Sequence, residues 1–565
     1  MSSKTSPLQP SAQNAAILKG TNPAKMRSLD LRLRVLMGFL FLLVSVPFIA
    51  LFFMAAGAFD ASLWAHLLKT ILFSTIGTTL YLLLGVGILV TLIGVSTAWL
   101  VTMCDFPGRR IFAVLLLLPL ALPTYVSAFA YIEFLGFTGP LQTFIRDLFG
   151  YTSVKQYWFP DYRTTNGAIV IMSLVLYPYV YLTSRASFAM QTASTFDACR
   201  TLGARPWRLF KEIGLPMARP GIIIGVALAL MEAANDIGAV EFFGVRTLTT
   251  TIYDVWLNRS SLSTAAQIAL FFLAIITFLL WIERRARREQ RLYSPTGKMI
   301  GFQPFKLKGR KVVFAIAACG VPVLLGFIVP VIVLAESAIA YGFDGGLVEL
   351  IKPARTSVFL SLAAMFVTVG AGFLFAYASS LRLSGVWEFL VRLTTLGYAV
   401  PGVILAIGVL VPLAAFDNAL DGVARSLFDF KTGLLLSGTS IALIYAYSIR
   451  FLPMAFGSSD AGFQRLSPNY AHAARTLGRT QSTTLKQVYL PLMKPALLTG
   501  GILVFVDCMK ELPATLLLRP FNTDTLATRI YDAASLEIFE MGALPALTII
   551  VVGLVPVILL SVQQK

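Results

Sequence analysis

Four acidic residues stand inside otherwise apolar runs: Glu232 and Asp236 in MEAANDIGAV, and Asp507 and Glu511 in FVDCMKELPA. Each pair is spaced i, i+4, which puts both carboxylates on one face of a helix. Counted from Pro220 at 1.5 Å per residue, Glu232 lies roughly 18 Å and Asp236 roughly 24 Å into its run. An acid near the centre of a membrane helix costs about 2.5–3.5 kcal/mol, so four of them need a reason. One reason is a carboxylate ring lining a cation path, whose oxygens bind a hard cation and, at several sites in series, release it again. The other is structural: Lys510 and similar bases pair with the acids, or some acids are protonated. Tyr177 and Tyr179, in YPYVY, are candidate supporting oxygens, and Glu241 is a further acid five residues beyond Asp236. The tyrosines fit interfacial packing equally well.

The elements that must hold these groups follow from composition. The chain has 565 residues, 57% hydrophobic and 13% charged, with a mean hydropathy of +0.77. Soluble domains carry roughly a quarter charged residues, so the pattern specifies an all-α polytopic membrane protein. Hydropathy places about twelve transmembrane helices near 35–57, 76–101, 111–134, 167–187, 221–244 and 264–282, then 312–340, 356–380, 388–413, 433–455, 496–518 and 543–563. Pro123, Pro178, Pro401 and Pro453 are expected to interrupt spans as kinks or hinges.

The net charge of +18 concentrates between apolar runs, most densely in ERRARREQR, Glu283 to Arg291. Basic loops face the cytoplasm, so this segment is a cytoplasmic linker and no nucleic-acid partner is implied. The expected organisation is a cytoplasmic tail (1–34), a first six-span half (35–282), the basic linker (283–311) and a second six-span half (312–565). Both termini then lie in the cytoplasm and the lipid bilayer is the surrounding partner. The four cysteines are scattered and only two histidines exist, which gives no support to a disulfide, zinc or haem site. PTGKM, Pro295 to Met299, lacks the first glycine of a phosphate-binding loop, and no catalytic constellation is evident. The chain is not expected to be an enzyme or to hold a permanent cofactor.

The two halves are also related in sequence. DACRTLGARPWRLFKEIGLP, Asp197 to Pro216, and HAARTLGRTQSTTLKQVYLP, His472 to Pro491, are offset by 275 positions. At the same offset Glu232 pairs with Asp507 and Asp236 with Glu511; after a three-residue indel, Ile252-Tyr253-Asp254 pairs with Ile530-Tyr531-Asp532. The halves are parallel repeats about an axis along the membrane normal, which brings the acid pairs toward each other. The two polar stretches are expected as short helix-turn-helix elements on the cytoplasmic surface, each stopped by Leu-Pro before the next span. A single copy would fit an interfacial helix; two matched copies favour a docking element used twice.

This pattern of Ala, Gly and a Leu-Pro twelve residues after the Gly resembles the "EAA" loop of ABC importer permeases. In that family the loop is a coupling helix seated in a groove of the ATP-hydrolysing subunit. The resemblance assigns ATPase coupling to Asp197, Ala198, Arg200, Gly203, Leu215 and Pro216 in the first copy. In the second it assigns the role to His472, Ala473, Arg475, Gly478, Leu490 and Pro491. The usual leading Glu is replaced by Asp197 and by His472. Longer stretches, MEAANDIGAVEFFGV, FVDCMKELPATLLLRPFNTDTLATRIYD and GPLQTFIRDLFG, resemble the fused twelve-span permeases of ferric-iron importers. That resemblance implies a bacterial inner-membrane protein carrying iron(III) as substrate. It also implies two copies of an ABC ATPase, with its ATP and Mg, at the cytoplasmic face, and a periplasmic iron-binding protein docking on loops 135–165, 246–263 and 519–540. Alternatives are a permease for thiamine or an aminoalkylphosphonate, or a secondary transporter, which would not need two matched cytoplasmic helices.

Overall fold

A computed structural model describes residues 31–57, 59–189, 206–292, 304–340, 343–380, 397, 400–466, 470, 474, 476 and 480–563. In chain order the helices are α1 (Leu31–Ala55), α2 (Ala61–Met103), α3 (Arg109–Leu115), α4 (Thr124–Leu135), α5 (Pro140–Phe149), α6 (Thr165–Ala189) and α7 (Trp207–Asn235). Then follow α8 (Gly238–Phe242), α9 (Leu248–Leu257), α10 (Leu262–Leu292), α11 (Arg310–Ala340) and α12 (Phe343–Ser380). The last are α13 (Gly402–Phe428), α14 (Ser440–Arg465), α15 (Leu485–Met509), α16 (Pro513–Leu518), α17 (Leu526–Ser535) and α18 (Phe539–Gln563). Strands β1 (Cys104–Asp105) and β2 (Phe305–Lys306) pair in parallel and tie the end of α2 to the segment just before α11. The protein is a polytopic all-α membrane protein. Among the described residues, eleven helices are long and apolar enough to cross a bilayer, and twelve with one bent pair counted as a span.

That bent pair bears out the expected interruption at Pro123 and corrects its form within the span over 111–134, which is a sharp break and not a kink in one helix. Arg109–Ala121 and Thr124–Phe149 meet at 91°. Pro123 disfavours helix at the residue before it, and Leu122 is extended, with φ −101° and ψ 113°. Pro401 likewise stands at the start of α13. Pro178 and Pro453, in contrast, sit inside the continuous helices α6 and α14 and interrupt neither.

A second correction concerns the Leu-Pro pairs, which do not stop their helices. Before each proline the helix widens into a π-turn, over Phe210–Gly214 and over Leu485–Tyr489. Leu215 N–H donates to the Phe210 carbonyl and Leu490 N–H to that of Leu485, five residues back. A proline ring clashes with the carbonyl four residues earlier, and the wider turn removes that contact. The helix then runs on unbroken into the span. Asp197, Ala198, Arg200, Gly203, His472, Ala473, Arg475 and Gly478 lie outside the described residues.

Packing repeats along the chain. The α2 helix packs on α6 as α12 packs on α14, and α7 packs on α6 as α15 packs on α14. Glycines allow these approaches: a Cβ on Gly94 would sit 2.7 Å from Val180 Cβ, and one on Gly372 would sit 2.8 Å from the Phe456 backbone nitrogen. Thr79 Oγ1 accepts from Leu248 N–H at 3.0 Å, and Ser357 Oγ accepts from Leu526 N–H at 2.8 Å. Thr525 with Thr528 forms a capping box on α17, and at the matching place on α9 Thr247 N–H donates to Thr250 Oγ1. First spans cross over: α1 packs on α13, and the later part of α11, Val329–Ala340, packs on α4. The two sequence-related stretches thus interleave around a shared centre.

Candidate functional site

The α7 helix ends at Asn235, and Asp236 turns extended, with φ −80° and ψ 110°. The α15 helix ends at Met509, and Pro513 begins α16. Each acid pair therefore straddles a helix end instead of sharing one continuous helix face as its spacing implied. The two breaks pack together, because a Cβ on Gly238 would lie 2.7 Å from Leu512 Cδ2 and 2.8 Å from Tyr125 Cβ. Only a residue without a side chain lets the turns meet this closely.

Between the breaks lies a cavity of about 90 Å³ whose wall carries Glu232, Asp236, Asp507 and Glu511 together. Tyr179 from α6, Thr124 and Tyr125 from the start of α4, Asn235, Lys510 and Arg450 from α14 complete its polar lining. Arg450 is the eleventh residue of a 26-residue helix, which sets the cavity well inside the span.

The four acids are held differently. Asp236 is buried and receives hydrogen bonds from Ala239 N–H at 2.8 Å and from the Thr124 hydroxyl. Glu511 is 4% exposed and receives Ala514 N–H at 3.0 Å, Thr515 N–H at 3.1 Å and the Thr515 hydroxyl at 2.8 Å. Both cap the short helix that follows them, satisfying N–H groups that a helix start leaves unpaired. Glu232 and Asp507 are half-buried and stand on the last turns of α7 and α15. Tyr179 donates to Glu232 Oε1 at 3.5 Å, and Lys510 Nζ lies 2.8 Å from Asp507 Oδ1.

Arg450 Nη1 lies 3.4 Å from Glu511 Oε1, with both side chains almost fully enclosed. Gly402 makes room for this pair: a Cβ there would meet Arg450 Nη1 and lie 2.8 Å from Glu511 Oε1. Four acids and two bases leave the cavity two formal negative charges. An arrangement of oxygen donors with net negative charge holds a hard cation and disfavours a free anion.

Not every candidate joins the cavity. Tyr177 is fully buried away from it, and its hydroxyl has no hydrogen-bond partner among the described residues. Glu241 lies on α8 and accepts from the Tyr531 hydroxyl at 2.9 Å, a bridge between the two stretches outside the cavity. The residues that sequence reasoning missed are Arg450, Thr124, Tyr125, Asn235 and Gly402. Arg450 carried the same signal as the acids, a charge inside the apolar run IALIYAYSIRFLPMAF.

Paired helix breaks enclose a charged cavity in an apolar bundle, and the relatives of this chain are permeases. The chain belongs to the family of binding-protein-dependent transport system inner membrane components, matched over residues 368–565, and is an ABC-type permease. The Fe(3+)-transport system permease protein FbpB 2 of Haemophilus influenzae is 26% identical over 86% of this chain and 89% of its own length. The molybdenum transport system permease protein ModB of Escherichia coli is 29% identical over 34% of this chain and 86% of its own length. The probable sulfate transport system permease protein cysT of Chlorokybus atmophyticus is 30% identical over 36% of this chain and 68% of its own length.

Proposed function

We propose that this chain carries iron(III) through the cavity between the helix breaks, and that the net negative charge of four carboxylates set against two bases is the selecting feature. Glu232 and Asp507, half-buried on the cavity wall, are the acids that meet the ion, while the buried Asp236 and Glu511 cap α8 and α16. Tyr179 adds a phenol oxygen beside Glu232. Iron(III) is a hard cation that prefers such donors. The ferric relative that aligns with most of this chain supports the same reading.

In this reading residues 35–282 and 312–565 act as two halves joined by the cytoplasmic linker 283–311. Iron arrives on a periplasmic binding protein seated on loops 135–165, 246–263 and 519–540. Two ABC ATPases grip the segments ending at Leu215-Pro216 and Leu490-Pro491, and their hydrolysis of ATP drives alternating access. The α7 and α15 helices, unbroken through each Leu-Pro, give that motion a lever ending at the acids.

Arg450 and Lys510 favour a second reading, an oxyanion permease like the molybdenum and sulfate relatives. Each base faces an acid, however, and a free dianion would meet a net negative wall. Uptake by the assembled importer of labelled iron(III), molybdate and sulfate separates the two. Iron uptake that depends on ATP, with neither oxyanion transported alone, is the expected result. Molybdate or sulfate uptake without iron would overturn the proposal.

A further inference from the structure

The Arg450 side chain is more than nine-tenths enclosed and lines the cavity, yet its Nε and Nη1 hydrogens find no acceptor among the described residues. Its ion-pair partner, Glu511, already takes three hydrogen bonds from the turn that follows it. Two other cavity groups are also unsatisfied among the described residues, the Tyr125 hydroxyl and Asn235 Oδ1. A buried guanidinium with unused donors is costly, and its planar fork matches the two oxygens of a small oxyanion.

We propose that Arg450 is an anion subsite inside the carboxylate cavity, so that the ion crosses as a metal–oxyanion pair with the oxyanion on Arg450 and the metal on Glu232 and Asp507. This rests on the iron(III) reading and sharpens it. The charge count points the same way. A bare trivalent ion against two formal negative charges leaves one positive charge in a low-dielectric enclosure, and a singly charged oxyanion of phosphate or bicarbonate type cancels it. Without the metal the same oxyanion faces the net negative wall, so it crosses only in company.

The two halves differ at the point that makes this possible. In the first, Thr124 donates to Asp236 and Val175 lines the wall; in the second, Gly402 and Arg450 stand at the corresponding places around Glu511. The subsite is therefore single and lies on one side of the path.

The test uses the complete importer in proteoliposomes with iron-55, in three buffers: labelled inorganic phosphate, labelled bicarbonate, and neither anion. The expected result is iron influx stimulated by one of the two anions, with that label crossing alongside the iron. Arg450→Gln should lower the ratio of label to iron by at least about tenfold, the worth of one hydrogen-bonded charged partner. Arg450→Lys keeps the charge without the fork and should give an intermediate ratio. Iron crossing without either label, or an unchanged ratio in whichever variant reaches the membrane, overturns the subsite and leaves the iron reading standing. A label that crosses with no iron refutes the iron reading itself.

Discussion

Replacing Gly402 by Ala tests how tightly the cavity wall is built. The residue is helical and starts α13, so propensity alone predicts a gain of up to about 1 kcal/mol. The added Cβ would lie 2.8 Å from Glu511 Oε1 and 2.9 Å from Pro513 Cβ, and would also meet Arg450 Nη1. Pro513 is ring-bound and Glu511 is fastened by three hydrogen bonds, so neither can yield without loss. Overpacking of this kind costs about 1–3 kcal/mol, and it outweighs the propensity term. Gly422 lies in the same helix with nothing within 4 Å of its added Cβ, so Gly422→Ala keeps the propensity gain alone. Equilibrium unfolding of the purified, lipid-reconstituted protein should show Gly402→Ala destabilised and Gly422→Ala unchanged or stabilised. Equal effects of the two substitutions would refute the packing argument.

Three further outcomes follow. Arg450→Met and Glu511→Leu should each destabilise the protein by about 3–5 kcal/mol by stranding a buried charge, while the double variant should lose much less than the sum; an additive double-mutant cycle would mean that the 3.4 Å pair carries no coupling. Thr124→Ala removes a hydroxyl that donates to buried Asp236 and should cost about 1–3 kcal/mol, whereas Thr124→Ser should retain the bond; the same unfolding assay reads both. Substituting Gly203 and Gly478 separately should impair transport to different extents if the replacement of the usual Glu by Asp197 and His472 makes the two ATPase grips unequal, and identical transport rates would show equal grips.

The class of fold and the meeting of the four acids were legible because both depend on composition and on a repeat that can be counted. Charges in apolar runs at matched offsets need no tertiary knowledge to be found. The helix ends at Asn235 and Met509 were hidden, since i, i+4 spacing reads the same whether the helix continues or stops after the first acid. The breaks pack against each other at Gly238 and Leu512, which are distant in sequence. In sequence, Leu-Pro has the form of a stop, because proline usually ends a helix. The π-turns show the alternative, a local widening that keeps the helix intact. Arg450 is visible as a charge in an apolar run, but its partner lies 61 residues away and only the fold joins them.

The most direct test of the iron path is the rate of ATP-dependent iron-55 transport by the complete importer carrying Glu232→Gln and Asp507→Asn, normalised to folded protein in the membrane. These two acids line the cavity without capping a following helix, so the neutral isosteres leave the caps on α8 and α16 in place. The account predicts that each single substitution slows iron transport and that the pair together abolishes it. Transport at the wild-type rate by the folded double variant would contradict it.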